Sequence, residues 1–146
     1  MENIGALREG LKLVTAAAEK ANLLNKQFVS VFSKTSTKTL LEPKVKSLMR
    51  DITITQEGVA ELLKQLDPYK AAGPDNISPR VLKELADVLA PSLTSLFQLS
   101  LDKAVVPKDW KKAIICPAFK KGDRHQASNY RPISLTCVTS KVLEHI

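Results

Sequence analysis

The sequence predicts an α+β fold, mainly helical, in which amphipathic helices support one small antiparallel β-hairpin. Three observations carry this expectation. Apolar residues recur at helical spacing from Val59 to Leu66 and again from Val81 to Leu101. An Ile-containing apolar run, Ala113 to Phe119, is too short for a confident helix and reads as a strand. A basic loop with one glycine, Gly122, then leads into a second short run from Tyr130 onward. The 146 residues are enough to bury a core, and 44% hydrophobic with 25% charged residues is an ordinary balance for a globular chain.

Residues 1–14 carry too weak a pattern for any assignment. After Thr15, a suitable N-cap, the residues Ala21, Leu24, Phe28, Val31 and Phe32 define one helical face, and the helix should end before the polar run at 33–38. That run reads as a linker, and 39–50 is too broken around Pro43 to assign. A first region, 1–50, is therefore expected to be a helical connector, with 51–146 as the principal unit.

From Asp51 the local signals sharpen. Thr55 can cap a helix with Gln56 and Glu57 in its first turn, while Ile54 and Val59 stand where a hydrophobic staple places its two residues. Val59, Leu62, Leu63 and Leu66 supply the buried stripe, and Asp67 with Pro68 ends it. In the loop at 70–77, Gly73 permits a positive φ and Pro74 with Asp75 favours a turn. It reads as a connector, or as a place where Lys70 and free amides meet a phosphate backbone. Ser78 then caps a helix with Pro79 at its first position. Val81, Leu82, Leu85, Val88 and Leu89 should face inward, Pro91 should interrupt, and a second helix should bury Leu93, Leu96, Phe97 and Leu101. Trp110 beside Lys111 and Lys112 reads as a packing anchor, with stacking on a base as the alternative.

Charge points to the C-terminal end. From Lys103 onward there are nine basic residues against three acidic ones, so this stretch carries +6 of the net +7. That asymmetry favours a polyanionic partner, or else a solvated basic face. Alternation places Lys120 on one face of the first strand and Lys121 on the other, while Arg131, Ile133, Leu135 and Cys137 share a face on the return. If Lys120 stood opposite Arg131, two cations would meet at the tip and call for an anion between them; a one-residue slip would substitute Lys121. The connecting loop is long for a hairpin. Cys116 and Cys137, with no secretory signal or long apolar run before them, read as reduced intracellular thiols packed in strands, and no metal site is expected because no close Cys or His pair exists. No membrane association is expected.

The ordered motifs are specific. Lys70-Ala71-Ala72-Gly73-Pro74-Asp75-Asn76-Ile77, Val106-Pro107 through Trp110-Lys111, Pro117-Ala118-Phe119-Lys120-Lys121-Gly122-Asp123, Asn129-Tyr130-Arg131-Pro132-Ile133-Ser134-Leu135 and Lys141-Val142-Leu143-Glu144 together resemble the opening part of the reverse transcriptase domain of non-LTR, LINE-type retrotransposons. Upstream, Lys20 to Phe32 resembles the connector before the polymerase in jockey-like and CR1-like elements. The resemblance implies an RNA-directed DNA polymerase of right-hand fold, with the hairpin as part of its fingers. It implies that Arg131 and one of Lys120 or Lys121 contact the nucleotide triphosphate, and that Lys70, Gly73, Lys111, Lys112, Arg124 and Tyr130 contact the template. Partners would be an RNA template, a DNA primer and deoxynucleoside triphosphates, in cytoplasm and nucleus.

Polymerases of this kind hold two Mg²⁺ ions on palm aspartates. Here the seven aspartates are scattered and no Asp-Asp dipeptide occurs. The expectation is a segment that stops before the palm, has no catalytic residue or metal of its own and does not polymerise alone. Its alternatives are a non-catalytic RNA- or single-stranded-DNA-binding module, or a relic that self-associates through apolar surface left exposed.

Overall fold

A computed structural model describes residues 4–32 and 51–146. They form two compact units: 4–32 together with 116–133, and 51–115 together with 134–146. The expected linker at 33–38 and the broken stretch at 39–50 lie outside the described residues. The α+β class holds, with helices dominant and two separate two-stranded antiparallel sheets.

The first unit opens on a hairpin that the sequence did not announce. β1 (Leu7–Glu9) pairs with β2 (Lys12–Val14) in the register Leu7 to Val14, Arg8 to Leu13 and Glu9 to Lys12. Gly10, at φ +62°, supplies the left-handed residue of a two-residue return. Three-residue strands are too short for alternation to register, which is why 1–14 carried no pattern. Leu7 and Val14 point inward and are fully buried. α1 (Ala17–Ser30) begins one residue later than expected: Ala16 is its N-cap, and Thr15 makes no side-chain cap. Leu24 and Phe28 are buried as expected, but Val31 and Phe32 lie past the helix end and are about two-thirds exposed, and Ala21 is exposed. The core of this unit joins Leu7, Leu24 and Phe28 to Ala127 and Tyr130.

The second unit is built on four α-helices among the described residues and follows its local signals closely at the caps of the first two. α2 (Gln56–Lys64) is capped by Thr55, whose Oγ1 accepts from the Gly58 amide at 3.2 Å, and both staple residues, Ile54 and Val59, are buried. α3 (Pro79–Glu84) is capped by Ser78, whose Oγ accepts from the Val81 amide at 3.3 Å. α4 (Ala86–Asp102) packs against α2, and a core forms around Leu63, Leu82, Ala86, Ala90, Phe97, Val138 and Val142.

Pro91 does not interrupt the helix. It sits inside α4, and the break falls instead at Leu85, which leaves helical geometry at φ −102°, ψ 20°. Proline's fixed φ suits a helix; what Pro91 gives up is the amide hydrogen bond to the fourth residue before it, and α4 continues past it to Asp102. The displaced break explains the exposed stripe. With the axis changing at Leu85, the phase of α3 does not carry into α4. Val81, Leu85 and Val88 turn outward, Val88 to 73% exposure, and Leu96 and Leu101 are also exposed, while Leu82, Leu89, Leu93 and Phe97 keep their inward places. Trp110 is the anchor the sequence favoured, its ring edge-on to Phe97 at 5.6 Å between centroids.

Gly73 has a different role from the one its turn suggested. Its φ is not positive; Asn76, at φ +57°, takes the left-handed position of this loop. Gly73 is buried against the backbone where β4 meets α5, and a Cβ there would stand 2.5 Å from the Cys137 Cα and N and 2.6 Å from the Thr136 carbonyl carbon. The 70–77 loop therefore packs on the chain at 136–137 through a contact that only glycine permits. Cys137 is buried as the N-cap of α5 (Val138–Glu144), just beyond the strand rather than within it.

A candidate nucleic-acid interface

The hairpin of β3 (Ala113–Phe119) and β4 (Tyr130–Thr136) is present, joined by a structured loop. Its register differs from the one that would set Lys120 against Arg131. The Lys120 amide donates to the Asn129 carbonyl at 2.8 Å. In an antiparallel ladder that bond places Lys120 across from Asn129, Phe119 across from Tyr130 and Ala118 across from Arg131. Two physical reasons favour this arrangement. It pairs the rings of Phe119 and Tyr130 edge-to-face at 5.6 Å, and it removes the direct opposition of two cations. It also sets Pro117 across from Pro132 at a position where neither owes the ladder a hydrogen bond. Lys120 and Arg131 remain on one face as diagonal neighbours, a spacing of about 7–8 Å between backbone positions.

The loop that carries the cations is tied together from within. The Asp123 carboxylate accepts the His125 amide at 2.9 Å, and its carbonyl accepts the Asn129 side-chain amide at 2.9 Å. Gly122 stands at φ +91° with the Asn129 side chain 2.9 Å from where a Cβ would lie, so no other residue fits comfortably. Arg124 is aimed by two contacts: its guanidinium carbon lies 4.7 Å from the Phe119 ring centroid, and its carbonyl accepts the Tyr130 hydroxyl at 2.8 Å. Arg8 and Ala6 fasten the loop to the unit, the Arg8 amide donating to the His125 carbonyl at 2.7 Å and the His125 Nδ1 lying 2.8 Å from the Ala6 carbonyl oxygen.

Four cations thus sit on or beside an ordered loop: Lys120, Lys121, Arg124 and Arg131, all exposed and none in an ion pair among the described residues. Tyr130 is not free to stack on a base, because it is only 9% exposed, belongs to the core and donates its hydroxyl internally. It positions Arg124. Asn129 was missed by the sequence reading, although an asparagine next to a tyrosine at the end of a glycine-bearing loop is the signal that could have found it.

In the second unit the candidate residues separate by environment. Lys111 is exposed at the end of a short 3₁₀ turn, Lys108–Lys111. Lys112 is exposed as well, but its Nζ meets the Asp109 carboxylate at 2.7 Å. That hydrogen bond, with the attraction of the two charges, holds the Asp109 carboxyl below its ordinary value. The contribution of the pair is therefore complete above the ordinary aspartate range and lost as pH falls through the lower, folded value. In a carboxyl NMR titration Asp109 should show a midpoint below the usual value near 3.9, and Lys112→Gln should return it there. An unshifted Asp109 would show that the pair does not persist in solution.

Lys70 is exposed and follows Tyr69, which at 94% exposure is a second feature that sequence reading passed over. Its signal was an aromatic residue in a turn with no apolar neighbours to bury it. Gly73, by contrast, is buried and shapes the loop. Among the described residues no group of three or more His, Cys, Asp or Glu side chains converges as metal ligands. No described helix is long and apolar enough to cross a membrane.

Comparison with known proteins relates the chain in sequence to RNA-directed DNA polymerases of non-LTR transposable elements, as its motifs imply. In particular, it is 33% identical over 94 residues, 64% of its length, to the RNA-directed DNA polymerase from mobile element jockey of Drosophila melanogaster. The same identity and extent relate it to a probable RNA-directed DNA polymerase from transposon BS of that species and to the jockey polymerase of Drosophila funebris. The chain spans about a tenth of the length of these curated relatives, the matched stretch being 10% of each. No family model matches it.

Proposed function

We propose that this chain is the fingers portion, with its N-terminal support, of a non-LTR retrotransposon reverse transcriptase, and that it binds nucleotide and template without polymerising alone. The observation that carries the reading is the ordered hairpin tip with Lys120 and Arg131 on one face and no anion partner among the described residues. Arg131 would fork two phosphate oxygens of a nucleotide triphosphate, with Lys120 or Lys121 as the accompanying point charge. Arg124, Lys70, Lys111 and Lys112 would follow the template backbone, and Tyr130 and Gly73 would act by shaping the surfaces that carry them. In this reading residues 1–50 connect to a 51–146 polymerase segment, the partners are an RNA template, a DNA primer and deoxynucleoside triphosphates, and the protein works in the cytoplasm and nucleus. In the whole polymerase, Mg²⁺ would supply the transfer chemistry.

Binding of a fluorescent single-stranded RNA, followed by anisotropy against salt, tests the reading. With about four phosphate contacts the expected slope of log K against log salt is about −3, so raising salt from about 50 to 200 mM should weaken binding by roughly fiftyfold. A flat salt response would contradict it, as would robust Mg²⁺-dependent primer extension by the purified chain. The exposed stripe of Val81, Leu85 and Val88 gives a second reading a specific footing, in which the chain is a binding module that self-associates through this surface.

A further inference from the structure

The second unit holds a pocket of about 250 Å³ of which the nucleic-acid reading uses only Lys70. It lies where the C-terminal end of α2, the turn after it and α5 come together, entirely within that unit. Its floor is apolar: Val138 and Val142 are buried members of the core, and Leu62 and Leu66 are partly buried against it. Polar lining residues include Lys70 and His145, both exposed, and Lys141, which is partly buried.

We propose that this pocket binds a small organic anion, with a carboxylate or phosphate headgroup on the two lysines and an apolar body on the floor. Neither Lys70 nor Lys141 makes an ion pair or a side-chain hydrogen bond among the described residues, although Lys141 is partly buried and sits on α5 beside buried Val142. Two lysines lining one small cavity repel one another unless an anion joins them. One carboxylate, Asp67, also lines the pocket, but its Oδ1 already accepts the Tyr69 amide at 3.0 Å, closing the turn that carries Lys70. The rim therefore keeps an excess of positive charge over an apolar base.

Size and lining narrow the ligand class. The cavity is smaller than the roughly 300–1,000 Å³ that drug-sized ligands occupy, which suits one ring or a short aliphatic chain. A bare inorganic anion would leave the leucine and valine floor facing water, whereas an amphiphilic anion covers it. A nucleic-acid strand, by contrast, asks for an open basic groove with stacking platforms. The proposal does not rest on template binding, and it assigns Lys141, which that reading leaves without a role.

The test is an amide-shift NMR titration of the full 146-residue chain with phenyl phosphate, phenylacetate and inorganic phosphate. The two aromatic anions report which headgroup is preferred, and binding of either supports the site. Shifts should cluster at residues 62–71 and 138–145, with inorganic phosphate at least tenfold weaker. Lys141→Gln should weaken the preferred ligand at least fivefold, and Ala71→Leu, which narrows the opening from an exposed position, should do the same with the rest of the spectrum unchanged. Both variants should leave single-stranded RNA affinity within twofold, which separates failure of this site from failure of the nucleic-acid reading. Equal affinity for inorganic phosphate, shifts scattered over the basic hairpin, or unchanged binding by Lys141→Gln would each overturn the proposal.

Discussion

Gly73→Ala should destabilise the second unit by about 3 kcal/mol, seen as a fall of roughly 10 °C in thermal midpoint for a chain of this size. The cause is steric and lies in backbone, not side chain. The added methyl would stand 2.5 Å from the Cys137 Cα and N and 2.6 Å from the Thr136 carbonyl carbon, and none of these atoms can rotate away as a side chain could. Either the 70–77 loop lifts from the start of α5 or α5 shifts with Val138 and Val142, which are 4% and 2% exposed in the core. Strain of a left-handed φ makes no contribution, because Gly73 has none; a small loss of a few tenths of a kcal/mol would show that the loop does not dock as described.

The double change Lys120→Gln with Arg131→Gln should weaken deoxythymidine triphosphate binding by about ten- to thirtyfold at low salt. Both side chains are exposed, so their loss leaves the fold intact, and both lie on the face set by the Lys120 to Asn129 hydrogen bond. Lys112→Gln serves as the comparison. It removes one positive charge instead of two, and one already engaged by Asp109, so its effect on triphosphate binding should stay within about threefold. Equal losses from Lys112 and from the hairpin pair would mean that binding follows net charge alone and has no focus at the tip.

Much of this was legible because it is local. Thr55 and Ser78 as caps, Pro79 at a first helical position and Ile54 with Val59 as a staple are decided by a few neighbouring residues, and each occurs where the sequence put it. The hairpin was legible from the apolar run to Phe119 and its return at Tyr130. Its register was not, because period two is unchanged by a shift of two residues, and the choice rests on the Phe119 and Tyr130 rings meeting. The outward turn of Val81, Leu85 and Val88 was hidden for a related reason: periodicity gives a stripe within one helix and says nothing about a break at Leu85. Gly73 shows the limit most clearly, since a turn glycine and a close-packing glycine read alike until Cys137 is seen beside it.

The central claim is that the tip of the β3–β4 hairpin is an anion site, and an amide-shift titration with deoxythymidine triphosphate in the absence of metal tests it most directly. The account predicts saturable shifts at Lys120, Lys121, Arg124 and Arg131 and at the Asp123 and Asn129 ties that hold them, abolished when Lys120 and Arg131 are both replaced by glutamine. Shifts confined to residues outside 119–131, or shifts that survive the double replacement, would contradict it.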